Sequence, residues 1–339
     1  MTTLYVLEQG AELHCDGERL RVMLDEQERG SCPLTKLEDI LVFGNVGITT
    51  PAMKRLLDRG IEVTFLTTQG RYHGRLVGHV TAHVALRRQQ YRRADDHAWS
   101  LAFAQTCVEA KLRNARVVLQ RYARNRTSVD AALTAAIATL QEFIERTART
   151  TQISSLLGVE GSGTACYFGG FRTLFASEWE FNNRNRRPPT DPINVMLSLG
   201  YTMLVHKAVG AVEATGLDPY QGFLHQVDYN RPSLVLDLIE EFRPFLVDAL
   251  VMRCCADGII TPADFVRDAA AQYPILLTDE GKRRFVAAFE ERMRSEALHP
   301  DGADGRPGKV SYWRCLELQA RRMVRAIQHG VAYEPWLIR

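Results

Sequence analysis

LEDILVFGNVGITTPAMKRLLDRGIEVTFL, residues 37 to 66, decides the architecture of the first part of the chain. Ile40-Leu41-Val42-Phe43 is a short run of β-formers closed by Gly44-Asn45. Pro51 to Leu57 suits a helix, and Gly60 ends it. Ile61 to Leu66 then resumes a strand. Upstream, Leu4 to Leu7 is a further apolar strand, and Ala11 to Leu24 reads as a hairpin with Asp16-Gly17 in its turn, where the required positive φ costs little. Downstream, Gly70 begins another turn and strand. Residues 1–82 are therefore expected to form a small β-rich domain.

After about residue 83 the texture changes. Arg87 to Asp96 is polar and charged, a connector or a helix start, so 83–96 is taken as a linker. From His97 the period is helical: His97 to Asn125, Val129 to Ala148, Ile153 to Phe175, Asp191 to Thr215, Ser233 to Cys255, Pro262 to Ala271, Asp279 to Ala297 and Val310 to Gln328. The polar run 177–190 and HPDGADGRPGK, 299–309, read as loops, the second mobile. The expected fold class is α+β with two domains: a small N-terminal β-rich domain, then a large all-α domain over 97–339.

The chain has 339 residues, 46% of them hydrophobic, and a formal net charge of +2. It can bury a core and is not a disordered chain. The overall charge announces no polyanion, but basic residues crowd 83–126 and 306–325. Such patches either attract phosphate backbones or are ordinary solvated helix faces. The seven cysteines include no CxxC pair, which argues against a disulfide framework and a thiolate zinc site. MTTLYVLEQG lacks the basic start and long apolar core of a signal peptide, and no uncharged run reaches the length of a membrane helix. A cytoplasmic protein without membrane attachment is expected.

GFLHQVDYNRPSLVLDLIEEFRP, 222–244, carries the most chemistry. At ~100° per residue, Val235, Leu238, Ile239, Phe242, Leu246 and Ala249 share one core face. Asp237, Glu241 and Asp248 fall opposite, and Glu240 lies at the margin. Pro244 denies a hydrogen bond to the Glu240 carbonyl, so the helix should bend or open there. The bend either tips Glu240 into a cleft or leaves it a solvated edge residue. His225, just before the helix, is either a structural hydrogen-bonding group or a ligand. In LLGVEGSGTACYFGGF, 156–171, Glu160 is ringed by glycines. Each glycine costs a helix roughly 1 kcal/mol relative to alanine. Such a concentration points to close approach by another backbone or by a ligand. Neither a GxGxxG nor a GxxxxGK[ST] loop is present, which excludes a mononucleotide site of those kinds. Two carboxylates and an imidazole, Glu160, Glu240 and His225, make a ligand mix suited to Mg²⁺ or Mn²⁺ rather than to structural zinc.

Glu160 in GVEG, the run FNNRNRRPPTDPINVMLSLGYTML, then GLDPYQGFLHQ and RPSLVLDLIEEFRPFLVD together resemble the CRISPR-associated integrase family of spacer acquisition. The stretch 37–66 is similar too, and the likeness is weakest after about residue 297. The resemblance implies a homodimer with an N-terminal β-domain and a C-terminal helical catalytic domain. It implies a metal-dependent DNA endonuclease and integrase with Glu160, His225 and Glu240 as ligands, and Asp237 as the alternative acid. Gln226 stands where family members often carry an acid. The implied substrates are short duplex DNA with free 3′-hydroxyls and CRISPR repeat DNA. The implied partner is a small CRISPR-associated protein that holds two dimers apart. Arg184, Arg186 and Arg187 are then phosphate clamps, with Arg87, Arg88, Arg92 and Arg93 around Tyr91 as a second set. Two other readings stay open: a general nuclease for branched DNA, and a non-catalytic nucleic-acid scaffold.

Overall fold

The computed structural model describes residues 2–78, 83–124, 130–185, 188–268, 270–303 and 305–338. The chain forms two compact units, Met1–Val80 and Thr81–Arg339.

The first unit contains β1 (Thr2–Val6), β2 (Glu12–Asp16), β3 (Arg19–Leu24), β4 (Gln27–Pro33), β5 (Leu37–Phe43), β6 (Gly47–Ile48), α1 (Thr50–Asp58), β7 (Glu62–Leu66) and β8 (Tyr72–Leu76). One four-stranded sheet has the order β1-β5-β7-β8 and the other β4-β3-β2-β6. β5 and β7 are parallel, with Ile40 opposite Val63 and Val42 opposite Phe65. A parallel pair needs a crossover, and α1 supplies it. Thr49 caps that helix by accepting from the Ala52 amide at 3.4 Å. Leu13 and Leu20 from one sheet meet Ile40, Val42 and Val63 from the other, with Leu56 of α1, in a single core. β4 was not expected from the sequence. It is an edge strand, exposed along most of its length, so it shows no alternation of apolar and polar residues.

The second unit contains α2 (Val84–Asp95), α3 (His97–Arg124), α4 (Ala131–Thr147), α5 (Ile153–Phe171), α6 (Pro192–Ala214), α7 (Ser233–Ile239), α8 (Ala249–Ala256), β9 (Phe265–Arg267), β10 (Ile275–Leu277), α9 (Asp279–Arg294), β11 (Glu296–Ala303), β12 (Arg306–Ser311) and α10 (Tyr312–His329). Three expectations are corrected. The stretch taken as a linker is mostly α2, whose Gln90 is fully buried. The segment from Pro262 is not a helix: Thr261 and Asp264 close a capping box over one 3₁₀ turn, and β9 follows, paired with β10. Most of the glycine-rich run after residue 299 lies in β11 and β12, which pair antiparallel, so the unit is mainly helical rather than all-α. Its glycines sit where the strands touch: a Cβ on Gly302 would lie 2.3 Å from the Gly308 carbonyl oxygen. Among the described residues α6 is long and apolar enough to cross a membrane, but 61% of its most apolar window is buried inside the protein. All seven cysteines are unpaired.

The glycines of α5 divide by surroundings. A Cβ on Gly163 would meet Leu112 of α3 at 2.7 Å, and one on Gly170 would meet Ala136 Cβ of α4 at 2.7 Å. A Cβ on Gly158, Gly161 or Gly169 would meet nothing within 4 Å. The neighbours Gly169 and Gly170 therefore make a matched test. Gly170→Ala is expected to destabilise the protein by about 1–3 kcal/mol through overpacking. Gly169→Ala should be neutral or stabilising by up to about 1 kcal/mol through helix propensity. Urea unfolding of the two variants measures the difference.

Candidate active site

Asp237 organises one side of the site. It is 1% exposed. Its Oδ2 accepts the backbone amides of Phe223 at 2.7 Å and Leu224 at 3.0 Å. Its Oδ1 accepts the His225 amide at 3.0 Å and lies 2.7 Å from His225 Nδ1. With four contacts the carboxylate has no free direction for a metal. It orients the imidazole instead, as carboxylates do behind ligating histidines. His225 Nε2 then faces Glu240, 3.8 Å from Oε1. The close approach of this segment to α7 requires a glycine, since a Cβ on Gly222 would lie 2.7 Å from the Ser233 carbonyl carbon. Gln90 of α2 secures the same loop. Its amide donates to the Asp218 and Gln221 carbonyls, each at 2.8 Å, and its oxygen accepts the Asp218 amide at 2.8 Å.

α7 stops at Ile239, and after a turn the chain continues as a π-helical segment, Pro244–Asp248. The interruption surrounds Glu240, as expected where proline withholds its N–H from that carbonyl. Glu240 is 3% exposed, not a solvated edge residue. Its Oε2 lies 2.7 Å from the ammonium of Lys111 on α3, and the same ammonium contacts Glu160 Oε1 on α5. Thr164 Oγ1 donates to Glu160 Oε1 at 2.9 Å, and Arg243 lies 3.6 Å from Glu240 Oε1. Burial works to raise the Glu240 carboxyl, but Arg243, Lys111 and His225 together outweigh it and hold the group at about 2. For Lys111, burial lowers the ammonium and the two glutamates raise it further, so it stays charged. Glu160 and Glu240 are thus brought to one ammonium, with His225 on the other side of Glu240. The lysine among them was missed in the sequence. The available signal was its place on an apolar helical face with Cys107, Val108, Ala115 and Val118.

The reading that set Asp237, Glu241 and Asp248 on the face opposite the core is corrected: all three are buried. The break in the helix gives each carboxylate its own donors. Glu241 accepts from Gln319 Nε2 at 2.8 Å, Tyr333 OH at 3.0 Å and the Trp336 amide at 2.9 Å. Burial pushes it up to about 8 against those bonds. Asn114 donates to the Glu241 and Trp336 carbonyls at 2.8 and 3.0 Å and accepts the Ile338 amide at 3.0 Å. The final segment is therefore fastened to Glu241 and Asn114. Asp248 accepts the Tyr201 hydroxyl. The two guanidiniums of Arg184 and Arg243 lie over the Tyr201 ring at 5.4 and 4.9 Å.

The donor set fits a hard divalent cation, with two carboxylates and an imidazole whose Nε2 is free of Asp237. Among the described residues no three acid, histidine or cysteine groups stand at ligating separation, and the Lys111 ammonium contacts both glutamates. Of the residues expected to clamp phosphates, Arg184 turns inward and donates to Asn194 Oδ1 at 2.7 Å and Ser198 Oγ at 3.1 Å. Arg186 and Arg187 lie outside the described residues. On α2, Arg87 donates to the Gly216 carbonyl at 3.2 Å, Tyr91 to Asp218 at 2.7 Å and Arg93 to the Ile327 carbonyl at 3.2 Å, whereas Arg88 and Arg92 are exposed.

Residues 4–291 match the family model described as CRISPR associated protein Cas1. The chain belongs to the Cas1 family. A Cas4/Cas1 exonuclease–endonuclease fusion of Geobacter sulfurreducens is 35% identical over 98% of the chain, which spans 59% of that relative's length. A CRISPR-associated endonuclease Cas1 of Rhodospirillum rubrum is 35% identical over 99% of the chain and 98% of its own length. A solved structure, a "Cas6-RT-Cas1--Cas2 complex", superposes with a TM-score of 0.84 at 26% identity, covering 99% of this chain and 36% of that one. The Cas1 match ends before α10, so Gln319, Tyr333 and Trp336, which hold Glu241, lie beyond the matched residues.

Burial raises the Asp248 carboxyl from 3.8 to about 6, despite the hydrogen bond from Tyr201 and the nearby Arg184 and Arg243. The folded protein therefore favours the protonated acid, and this contribution to stability is lost as pH rises from about 4 through about 6. Asp248→Asn is neutral at every pH. Its stability relative to the parent is expected to improve over that window by up to about 3 kcal/mol. Urea unfolding at pH 4 and pH 7 reads the change, and a pH-independent difference contradicts it.

Proposed function

We propose that the chain is a metal-dependent DNA endonuclease and integrase that inserts short duplexes into a CRISPR array. The observation that supports this is one chain of contacts that links the three residues: Glu160 and Glu240 share the Lys111 ammonium, and His225 Nε2 faces Glu240. These three would hold Mg²⁺ or Mn²⁺, which when bound supplies Lewis-acid stabilisation of charge on the transferring phosphate. The chain's own part is positional. Asp237 holds the imidazole with Nε2 toward Glu240. Glu160 stands between Gly158 and Gly161, where the absence of side chains leaves α5 open to a DNA backbone. The nucleophile is the 3′-hydroxyl of the incoming DNA. Its oxygen bonds to the repeat phosphorus as the P–O3′ bond of the repeat breaks, releasing a new 3′-end. No serine or cysteine nucleophile is needed.

On this reading the two units are an N-terminal dimerisation domain and a C-terminal catalytic domain, working in the cytoplasm of a prokaryote. The similar solved structure is a complex that joins Cas1 with Cas2, which supports a small Cas2-like partner for the homodimer. Exposed Arg88 and Arg92, together with Arg186 and Arg187, are the proposed phosphate contacts.

With Mn²⁺ and a labelled duplex, 3′-hydroxyl ends should be joined to repeat DNA and dideoxy ends should not. Glu160→Gln is expected to lower strand transfer by about 10²-fold or more while DNA binding, read by gel shift, persists. Cleavage of branched DNA that is indifferent to blocked ends, without joining, would favour the general nuclease instead. Unchanged behaviour of Glu160→Gln in every assay would leave only a scaffold.

A further inference from the structure

Lys111 is 8% exposed, and its ammonium touches both Glu160 and Glu240. Glu240 is buried and Glu160 partly so, and two carboxylates held to one point in such surroundings repel each other and resist ionisation unless a cation compensates. Among the described residues Lys111 is the ion-pair partner of Glu160, and Arg243 reaches Glu240 alone. The lysine therefore occupies the place a divalent cation would take: its single positive charge is shared by both acids and holds them to one ammonium. It also has somewhere to go. The lysine lines a cavity of about 20 Å³, enough for one water, whose other walls include Thr164, Tyr201 and the Asp248 carboxyl as well as Arg184 and Arg243. A flexible four-carbon stem allows the ammonium to withdraw without movement of the helix.

We propose that Lys111 is a displaceable counter-ion. In the ion-free protein it holds Glu160 and Glu240 in place. A divalent cation displaces its ammonium toward the adjoining cavity, so the lysine sets how tightly the site takes the cation. It is a positioning residue acting through the two glutamates. The proposal rests on the reading above that those glutamates hold a divalent cation.

The test uses the full chain and MnCl₂ alone, with binding read by calorimetry and stability by thermal unfolding. Lys111→Met should melt lower than the parent without metal, because two carboxylates lose their partner. It should bind Mn²⁺ about tenfold tighter or more, and its melting temperature should rise further on Mn²⁺ addition than the parent's. Lys111→Arg keeps the charge and should bind Mn²⁺ no tighter than the parent. The proposal is overturned if Lys111→Met binds Mn²⁺ with unchanged or weaker affinity while Glu160→Gln abolishes the site. Failure of the underlying reading looks different: parent, Lys111→Met and Glu160→Gln would all lack a saturable site. Should Lys111→Met not fold, a crystal structure of the parent with MnCl₂ decides. An ammonium moved off both carboxylates, with Mn²⁺ in its place, supports displacement; an ammonium still between them, with Mn²⁺ bound alongside, refutes it.

Discussion

A buried carboxylate, Glu240, and a partly buried one, Glu160, share one ammonium, and much of the helical unit serves that pairing. Glu160 and Glu240 come from different segments, and Lys111 from a third. The cost of burying each ion is several kcal/mol, and it is recovered only where the partners meet closely. Close packing makes that meeting possible. Gly163, one turn beyond Glu160, lets α5 approach Leu112, the residue after Lys111. The interrupted helix around Pro244 turns Glu240 inward toward the same ammonium. Sequence, helix geometry and electrostatics thus meet in one ion-paired cluster.

The surrounding polar groups keep that cluster in register. Asp237 is saturated by three amides and an imidazole, so it fixes where His225 points rather than acting on substrate. Glu241 and Asn114 bind the final segment through Tyr333, Trp336 and Ile338. Removing one partner of such a network leaves a buried polar group unsatisfied, at about 1–3 kcal/mol for a neutral group and more for a charged one. The residues beyond the Cas1 match are therefore part of the support for the site, not an appendage to it.

Much of the fold was legible because its signals are local. The Asp16-Gly17 hairpin, the helix after Thr49 and the strand from Glu62 each follow from neighbouring residues. The edge strand Gln27–Pro33 and the hairpin Glu296–Ser311 were not legible. In the first most side chains face water, and in the second glycine marks strand contact as well as loops. The amphipathic reading of 233–249 failed for a different reason. It assumed one face toward water, whereas donors from distant segments satisfy the acids on the other faces: the 223–225 backbone, Tyr201, and the final residues.

By itself the sequence determined which residue types were available for chemistry and which local elements would carry them. Glycines around Glu160, a proline after Glu240 and a histidine before the helix are facts of chain order. Tertiary structure alone decided their use. It separated Glu240, beside a cation, from Asp237, enclosed by amides, although the two are one turn apart. It also placed Lys111, one basic residue among many along α3, between two glutamates that lie 49 and 129 positions away. The reason is physical: charge interactions depend on distance and burial in space, and neither is written in the order of residues along the chain.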